Sequence, residues 1–358
     1  MPLDLPALGW DGHFQAQFKP YAQTGYCPAR VSRVDRGVCT VLGATGAQRA
    51  SIGGALLAAA AHDPVRLPCV GDWVVVRCWP DDRTTIDAVL PRRTSLVRSS
   101  AGAQATAQIL AANVDVSAVV ASLDPEPDVG MIERLLALAW ASGARPVVVL
   151  TKADLAPDPD AIARDVAECA PGVAVLAVSA TTGVGLHLVR ALARPGRTVG
   201  LLGASGSGKS TLVNALAGAV VMGTQEIRRS DGRGRHTTTF RALVPLPGGG
   251  VVLDTPGIRS VGLTGYAAGE VGLDQTFSDV DGLAAACRFG DCSHTDEPGC
   301  AVLAALAVGD LTARRLASWR KLHREIAYET RRQDARAAAA DRRGWLRRAD
   351  RLRGTGGV

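Results

Sequence analysis

Residues 201–216 read LLGASGSGKSTLVNAL. Gly203, Gly208, Lys209 and Ser210 fall at the spacing G-x-x-x-x-G-K-[ST], after a short apolar run and before the helical stretch STLVNALAG. That context marks a phosphate-binding loop. Its glycines let backbone N–H groups turn inward around phosphate oxygens, at the positive end of the following helix. Gly203, Ala204, Ser205, Gly206, Ser207, Gly208, Lys209, Ser210 and Thr211 are expected to cradle a nucleoside triphosphate. Lys209 would neutralise the outer phosphates, and Ser210 would offer its hydroxyl to Mg²⁺. The loop specifies no base, and it comes past the middle of a 358-residue chain.

The base-reading residues lie upstream of it. VVVLTKADL places Thr151, Lys152, Ala153 and Asp154 just beyond a buried strand, at the carboxyl edge of a sheet, where ligands bind. A carboxylate there accepts two hydrogen bonds from guanine, whose edge offers a ring N–H and an amino group. Against adenine it would be left unpaired, which disfavours ATP. The next strand ends in VLAVSATTG, with Ser179 and Ala180, a pair whose backbone approaches the guanine oxygen in GTPases that carry it.

Downstream, VVLDTPG supplies Asp254 and Gly257 of a D-x-x-G element that senses Mg²⁺ and the terminal phosphate. Between it and the phosphate loop, His236 is followed by Thr237, Thr238 and Thr239, whose hydroxyls are candidates for the same metal. The five elements of a guanine-nucleotide hydrolase site are present with the base-reading pair first. Such an order is a circular permutation, tolerated because chain ends of compact domains lie close together on the surface.

The segments around this site differ in rhythm. Residues 26–98 read as five or so short strands, with a hairpin signal at Asp35-Arg36-Gly37, and suggest a small barrel. The pattern does not separate an OB-fold from an SH3-like barrel. From about residue 110, brief apolar strands alternate with helical stretches, the signature of a parallel sheet covered on both faces. Residues 223–239 are Gly- and Arg-rich and poor in apolar residues, as expected of a loop. Leu316, Trp319, Leu322 and Ile326 recur at helical spacing and form one apolar stripe.

Cys287, Cys292, His294 and Cys300 follow the spacing C-x4-C-x-H-x5-C. Three thiolates and an imidazole complete a tetrahedral Zn²⁺ site with no open position, hence a structural one. The surrounding segment is too small to bury a core alone, so metal binding would supply much of its folding free energy. Cys27, Cys39, Cys69, Cys78 and Cys169 are scattered and are expected to be small buried hydrophobes.

Composition bounds the rest. With 47% hydrophobic and 21% charged residues the chain reads as globular. It has no run of ~18 apolar residues and no basic leader before an apolar stretch, so neither a membrane span nor a signal peptide is expected. A reducing cytoplasmic address follows. From Leu311 onward there are 14 Lys or Arg against 5 Asp or Glu, so the net charge of +6 resides in the C-terminal segment. Such a basic segment suggests nucleic-acid contact. With only 4% aromatic residues, shape and phosphate recognition are expected over base stacking.

The permuted order, the cysteine spacing and the stretches LPRRTSLVRSS, TKADL, GASGSGKSTLVNAL, GRGRHTTT and LDTPGIRSVGL together resemble the RsgA (YjeQ) family of circularly permuted ribosome-assembly GTPases, over roughly residues 25–335. The resemblance implies a multidomain protein. Its expected parts are an N-terminal extension (1–24), an OB-like β-barrel (25–98), a central α/β circularly permuted P-loop GTPase domain (99–265), a C-terminal α-helical zinc-binding domain (266–335) and a basic tail (336–358). It also implies a GTPase stimulated by the small ribosomal subunit, with the subunit and its rRNA as partners, GTP and GDP as ligands, Zn²⁺ and Mg²⁺ as metals and a monomeric state.

Two positions qualify that expectation. Ile258 stands where many GTPases carry a water-orienting Gln, so intrinsic hydrolysis should be slow. In the resembling family a switch-loop His has been considered for that role, and His236 occupies the place. Thr151 stands where the family usually has Asn, which ties the base loop to the phosphate loop; its replacement is expected to affect affinity more than guanine preference. The alternatives are a zinc-containing RNA-binding protein with a non-hydrolysing nucleotide switch, and an ATP-using P-loop enzyme, against which Asp154, Ser179 and Ala180 argue.

Overall fold

The computed structural model describes residues 3–22, 25–35, 37–99, 107–223, 242–255 and 267–331. Five strands, β1 (Tyr26–Asp35), β2 (Val38–Gly43), β3 (Gly46–Ile52), β4 (Trp73–Cys78) and β5 (Thr84–Val89), close in the order β1-β2-β3-β5-β4. The closing pair β3–β5 is parallel, with the helix α2 (Gly54–His62) in the crossover from β3 to β4. This is a five-stranded Greek-key barrel of the OB kind, which decides between the two barrels left open by sequence. Side chains alternate in and out along each strand, so Ala29, Val31, Cys39, Val41, Val74, Val76 and Ile86 fill the interior.

The run Ser95–Ser99 (β6), expected within the barrel, does not join it. It pairs antiparallel with β7 (Ala107–Ala112) in a separate two-stranded sheet. Pro91 follows soon after β5, and the Ser95 N–H donates to the carbonyl of Ser142 in the next unit of the chain. The thiols also divide. Cys39 and Cys69 are buried as expected, but Cys27 and Cys78 are exposed and Cys169 is half-buried. Cys27 occupies an outward-facing position of β1, and Cys78 ends β4, beyond its buried run.

The N-terminal segment is folded against the barrel. Asp11 caps α1 (Gly12–Phe18), accepting hydrogen bonds from the backbone N–H groups of His13 and Phe14. Trp10 and Phe14 pack on Trp73 of β4. Beside them Arg30 is buried. Its guanidinium donates to the carbonyls of Leu8, of Gly71 at 3.2 Å and of Asn113 at 3.0 Å. One cation thereby joins the extension, the barrel and the start of the next unit, and burial pulls its pKa down to about 10.

That unit is a six-stranded sheet in the order β10-β9-β8-β11-β13-β12: Ala174–Ala177, Arg145–Thr151, Val116–Ser122, Thr198–Leu202, Val251–Asp254 and Ala242–Pro245. All pairs are parallel except β12–β13. Val147, Val148, Val149 and Leu150 are all inaccessible or nearly so, as befits strands covered on both faces. From the central pair β8–β11 the chain winds outward in both directions. That pair is therefore the topological switch point, where a ligand crevice opens at the carboxyl ends of the strands.

Helix α3 (Val129–Ala141) follows β8, α4 (Pro159–Glu168) follows β9, α5 (Leu186–Leu192) follows β10 and α6 (Lys209–Ala217) follows β11. Against α3 lies a helical C-terminal region: α7 (Ala267–Thr276), α8 (Ser278–Ala285), α9 (Ala301–Val308) and α10 over residues 313–331. The helices α3 and α7 cross so closely that a Cβ on Gly272 would stand 2.2 Å from the Ala137 carbonyl oxygen. Leu316, Leu322 and Ile326 are buried along α10 with Trp319 partly so, as their spacing predicts. Each such aliphatic side chain contributes roughly 1.5–3 kcal/mol on full burial.

Candidate functional site

The site is assembled where the parallel strands end. Ser122 on β8 lies opposite Thr151 on β9, and Leu201 on β11 lies opposite Asp254 on β13. The loop after β11 is closed by two glycines that admit nothing larger. A Cβ on Gly203 would meet the Val120 carbonyl oxygen at 2.3 Å; one on Gly208, at φ +85°, would meet Thr151 Oγ1 at 2.9 Å. Lys209 begins α6 and is buried, its ammonium donating to the carbonyls of Gly203 at 2.8 Å and Ala204 at 2.6 Å. The ammonium thus stands inside the loop, where a phosphate would meet it. Ser210 sits in the first turn of the same helix.

The base-reading loop is bound to the phosphate loop by its first residue. Thr151 is 2% exposed, and its hydroxyl donates at 2.7 Å to the carbonyl of Ser207. The Ala121 carbonyl lies near the same hydroxyl, at 3.2 Å. The tie expected to be lost with Asn is therefore made by threonine. Lys152 adopts a left-handed backbone, φ 59°, and its ammonium donates at 2.7 Å to the Asp124 carbonyl. The Ala153 N–H donates to the Val178 carbonyl at 3.1 Å, which brings the loop beside Ser179 and Ala180. Ser179 is fully buried, and its hydroxyl accepts from the Thr182 N–H at 3.1 Å. Asp154 stays exposed at the rim.

Asp254, 3% exposed, ends β13 on this edge, and Thr255 beside it donates its hydroxyl to the Leu201 carbonyl. A buried carboxylate next to a phosphate loop with a helix-start hydroxyl suits a hard divalent cation such as Mg²⁺. Gly257 and the switch-loop residues His236, Thr237, Thr238 and Thr239 lie outside the described residues, as do Ile258 and the tail 336–358.

The cysteine cluster forms as its spacing predicts. The ligand atoms of Cys287, Cys292, His294 and Cys300 all lie within 4.8 Å of one another. The Cys287 and Cys300 sulfurs are 3.8 Å apart, and His294 Nδ1 is 3.5 and 3.4 Å from them. A tetrahedral zinc with bonds of about 2.3 Å to sulfur sets S–S edges of roughly 3.8 Å. The donor set and its spacing fit Zn²⁺. Burial pushes the Cys287 thiol up, but hydrogen bonds with the Val302 and Ala301 backbone outweigh it and leave it below its ordinary value. Cys292, by contrast, is pushed by burial to about 11.

Sequence reading missed what holds these parts. Glu297 accepts hydrogen bonds from the backbone N–H groups of Ser293 at 2.8 Å, Thr295 at 2.9 Å and Asp296 at 3.2 Å, fixing the turn that carries His294. Arg320 of α10 reaches the His294 carbonyl, and Trp319 meets its ring edge-on at 5.6 Å. Between the sheet and the C-terminal helices, Glu133 on α3 takes Arg314 at 3.0 Å and Arg315 at 2.8 Å, and Arg134 takes Glu325 at 2.6 Å. Several cations of the basic C-terminal segment are therefore engaged inside the protein. On the barrel, in the turn between β4 and β5, Trp79 carries Arg77 at 4.0 Å and Arg83 at 5.8 Å over its ring.

A phosphate loop at the switch point, a carboxylate-bearing loop tied to it and the permuted strand order define a circularly permuted P-loop GTPase. The model of the RsgA GTPase family matches residues 89–264. Small ribosomal subunit biogenesis GTPase RsgA of Streptomyces avermitilis is 51% identical over 96% of this chain and 91% of its own length. The protein of the same name from Opitutus terrae is 44% identical over 96% and 95%. Among solved structures, YjeQ from Thermotoga maritima superposes with a TM-score of 0.61 at 25% identity, covering 84% of this chain and 99% of that one. The circularly permuted GTPase YloQ shares the fold at a TM-score of 0.58, covering 87% and 98%. The chain belongs to the RsgA GTPase family, and it is a GTP hydrolase.

Proposed function

We propose that this GTPase binds the small ribosomal subunit late in its maturation, is stimulated by it, and leaves after converting GTP to GDP and phosphate. The observation that carries the nucleotide half is the bond from Thr151 to Ser207, which sets the base-reading and phosphate loops at a fixed separation. The subunit half rests on relatives named for its biogenesis that match nearly the whole chain.

In this reading the phosphate loop, Gly203 to Thr211, holds the triphosphate, and Lys209 neutralises its outer charges. Asp154 accepts from the guanine edge, Lys152 lies along the ring and the Ser179–Ala180 backbone meets the base oxygen. Asp254 and Gly257 follow the terminal phosphate. Ser210, with Thr237, Thr238 or Thr239, would hold Mg²⁺, which when bound offsets charge on the β- and γ-oxygens. His236 orients the attacking water in place of the Gln that Ile258 replaces. A His236→Ala protein that keeps full subunit-stimulated turnover would remove that role.

Cys287, Cys292, His294 and Cys300 hold one structural Zn²⁺. The barrel and the basic tail contact rRNA, chiefly through its phosphates, with the Arg77–Trp79–Arg83 stack as a site for an unpaired base. The protein acts in the cytoplasm as a monomer; among the described residues no helix is long and apolar enough to cross a membrane. The expected division into residues 1–24, 25–98, 99–265, 266–335 and 336–358 serves as the working organisation with one change: the barrel's boundary moves ahead of Ser95, because β6 pairs with β7 outside it. The deciding experiment is GTP turnover with and without purified small subunits. Stimulation by the small subunit and not the large one supports the reading. Binding to the subunit with no turnover favours a non-hydrolysing RNA-binding switch.

A further inference from the structure

Guanine offers its far edge, a ring N–H and an amino group, to a carboxylate, and in this site that carboxylate is Asp154. Its imidazole ring carries the sugar and so lies nearer the phosphates. The one free hydrogen-bonding atom of that ring is N7, an acceptor, which only a donor can read. Residue 151 joins the base-reading loop to the phosphate loop, its side chain touching Ser207 and Gly208, so in the guanine reading this side of the base falls to it.

A threonine hydroxyl has one proton. In Thr151 it is directed to the Ser207 carbonyl at 2.7 Å, with the Ala121 carbonyl as second acceptor at 3.2 Å. The side chain is 2% exposed and held under the loop by these contacts. An amide at this position would have two N–H protons, one for the tie and one for the base. Threonine makes the tie and has nothing left to donate.

We infer that this protein selects guanine without reading N7 through residue 151, leaving Asp154 and the Ser179–Ala180 turn to make the choice. Nucleotides of 7-deazaguanine, in which N7 is a C–H group, are then ligands as good as guanine nucleotides. The inference rests on the guanine reading of the site.

The test is calorimetric titration of the full-length protein with GDP, 7-deaza-GDP and ADP. A Kd for 7-deaza-GDP within threefold of that for GDP supports the inference; a larger loss overturns it, because some donor then reaches N7. A protein that binds ADP as well as GDP would instead overturn the guanine reading itself. Thr151→Asn supplies the missing proton and should make 7-deaza-GDP about 3- to 10-fold weaker than GDP, the range of one net hydrogen bond. If a folded Thr151→Asn protein still ignores the change, position 151 does not face N7 and the assignment fails. Thr151→Ser, which keeps the hydroxyl, serves if the asparagine variant does not fold: it should bind both nucleotides alike, and a preference for GDP above threefold would count against the proposal.

Discussion

Arg315 and Glu133 meet at 2.8 Å in the joint between the nucleotide-binding sheet and the C-terminal helices, with Glu133 inaccessible and Arg315 only 4% exposed. The same guanidinium also grips Asp279 at 2.7 Å and donates to the Thr276 carbonyl at 2.7 Å. Helix α3, which starts beyond the loop that receives Lys152, is thereby fastened to both α8 and α10. Any displacement of α3 would be transmitted directly to the helices that flank the cysteine cluster. The joint is a contiguous chain of packed and ion-paired side chains from the nucleotide-binding sheet to those helices.

Breaking the pair should loosen that joint. Arg315→Ala leaves the Glu133 carboxylate buried with Arg314 alone, which is 44% exposed. The expected loss is about 3–5 kcal/mol, typical of stranding a buried charge. Replacing both residues by apolar ones, Glu133→Leu with Arg315→Met, should cost less than the single change. Urea unfolding followed by far-ultraviolet circular dichroism measures both proteins. A double variant as unstable as the sum of the singles would show that shape rather than charge holds the joint.

Gly203→Ala should abolish nucleotide binding. The added methyl would collide with the Val120 carbonyl oxygen, whose strand β8 is too tightly packed in the sheet to move. The P-loop must then open, and its N–H groups no longer converge. Titration with GDP should show at least ~100-fold weaker binding, while the barrel and the zinc content stay unchanged. Retained affinity would mean that the backbone at Gly203 need not approach β8 so closely.

These two cases mark what was legible in the sequence. The phosphate loop, TKADL and the cysteine spacing announce themselves because their chemistry is local: a few residues at fixed spacing suffice. The permuted arrangement was legible in the order of those motifs, while the order of strands in the sheet came from the structure. The grip of Arg314 and Arg315 on Glu133, over 180 residues away, has no spacing to read, so the C-terminal cations looked free for nucleic acid. Ser95–Ser99 was misjudged because β-propensity identifies a strand but not its partner. Thr151 was read by the residue it replaces rather than by what its hydroxyl can do.

The turn that carries His294 should depend on Glu297. Hydrogen bonds from Ser293 first, and from the neighbouring backbone, hold its carboxyl far below the ordinary 4.5. A depressed carboxyl contributes its stabilisation fully above 4.5 and loses it only as the pH falls toward the folded value. The turn is therefore intact across the neutral range. Glu297→Ala should weaken zinc about 10- to 100-fold, the usual effect of losing a residue that orients a ligand. Competition with a chromophoric chelator reads this directly, and a change under twofold would show that the metal alone shapes the turn. Removal of the metal altogether should unfold α9 and the turn before it, seen as a loss of helical circular dichroism.

Asp154→Asn should exchange the base. The carboxylate, exposed at the rim, can accept from both the ring N–H and the amino group of guanine. An asparagine presents one acceptor and one donor. Xanthine keeps the ring N–H and replaces the amino group with a carbonyl, so its edge matches the amide where guanine's does not. With GDP the charge and one of its two hydrogen bonds are lost, and the amide N–H₂ faces the guanine amino group; one bond to a charged group is worth about 1.5–3 kcal/mol, so affinity should fall by ~10-fold or more. XDP should become the preferred ligand of the variant, and turnover of XTP should still respond to the small subunit because Lys209, Ser210 and Asp254 are untouched. If the variant continues to prefer GDP, the base is read elsewhere and the carboxylate of Asp154 has some other task. If it binds neither nucleotide but stays folded, the amide has disturbed the loop held by the Ala153–Val178 bond, and the companion variant Asp154→Ala, which should discriminate neither base, separates the two outcomes.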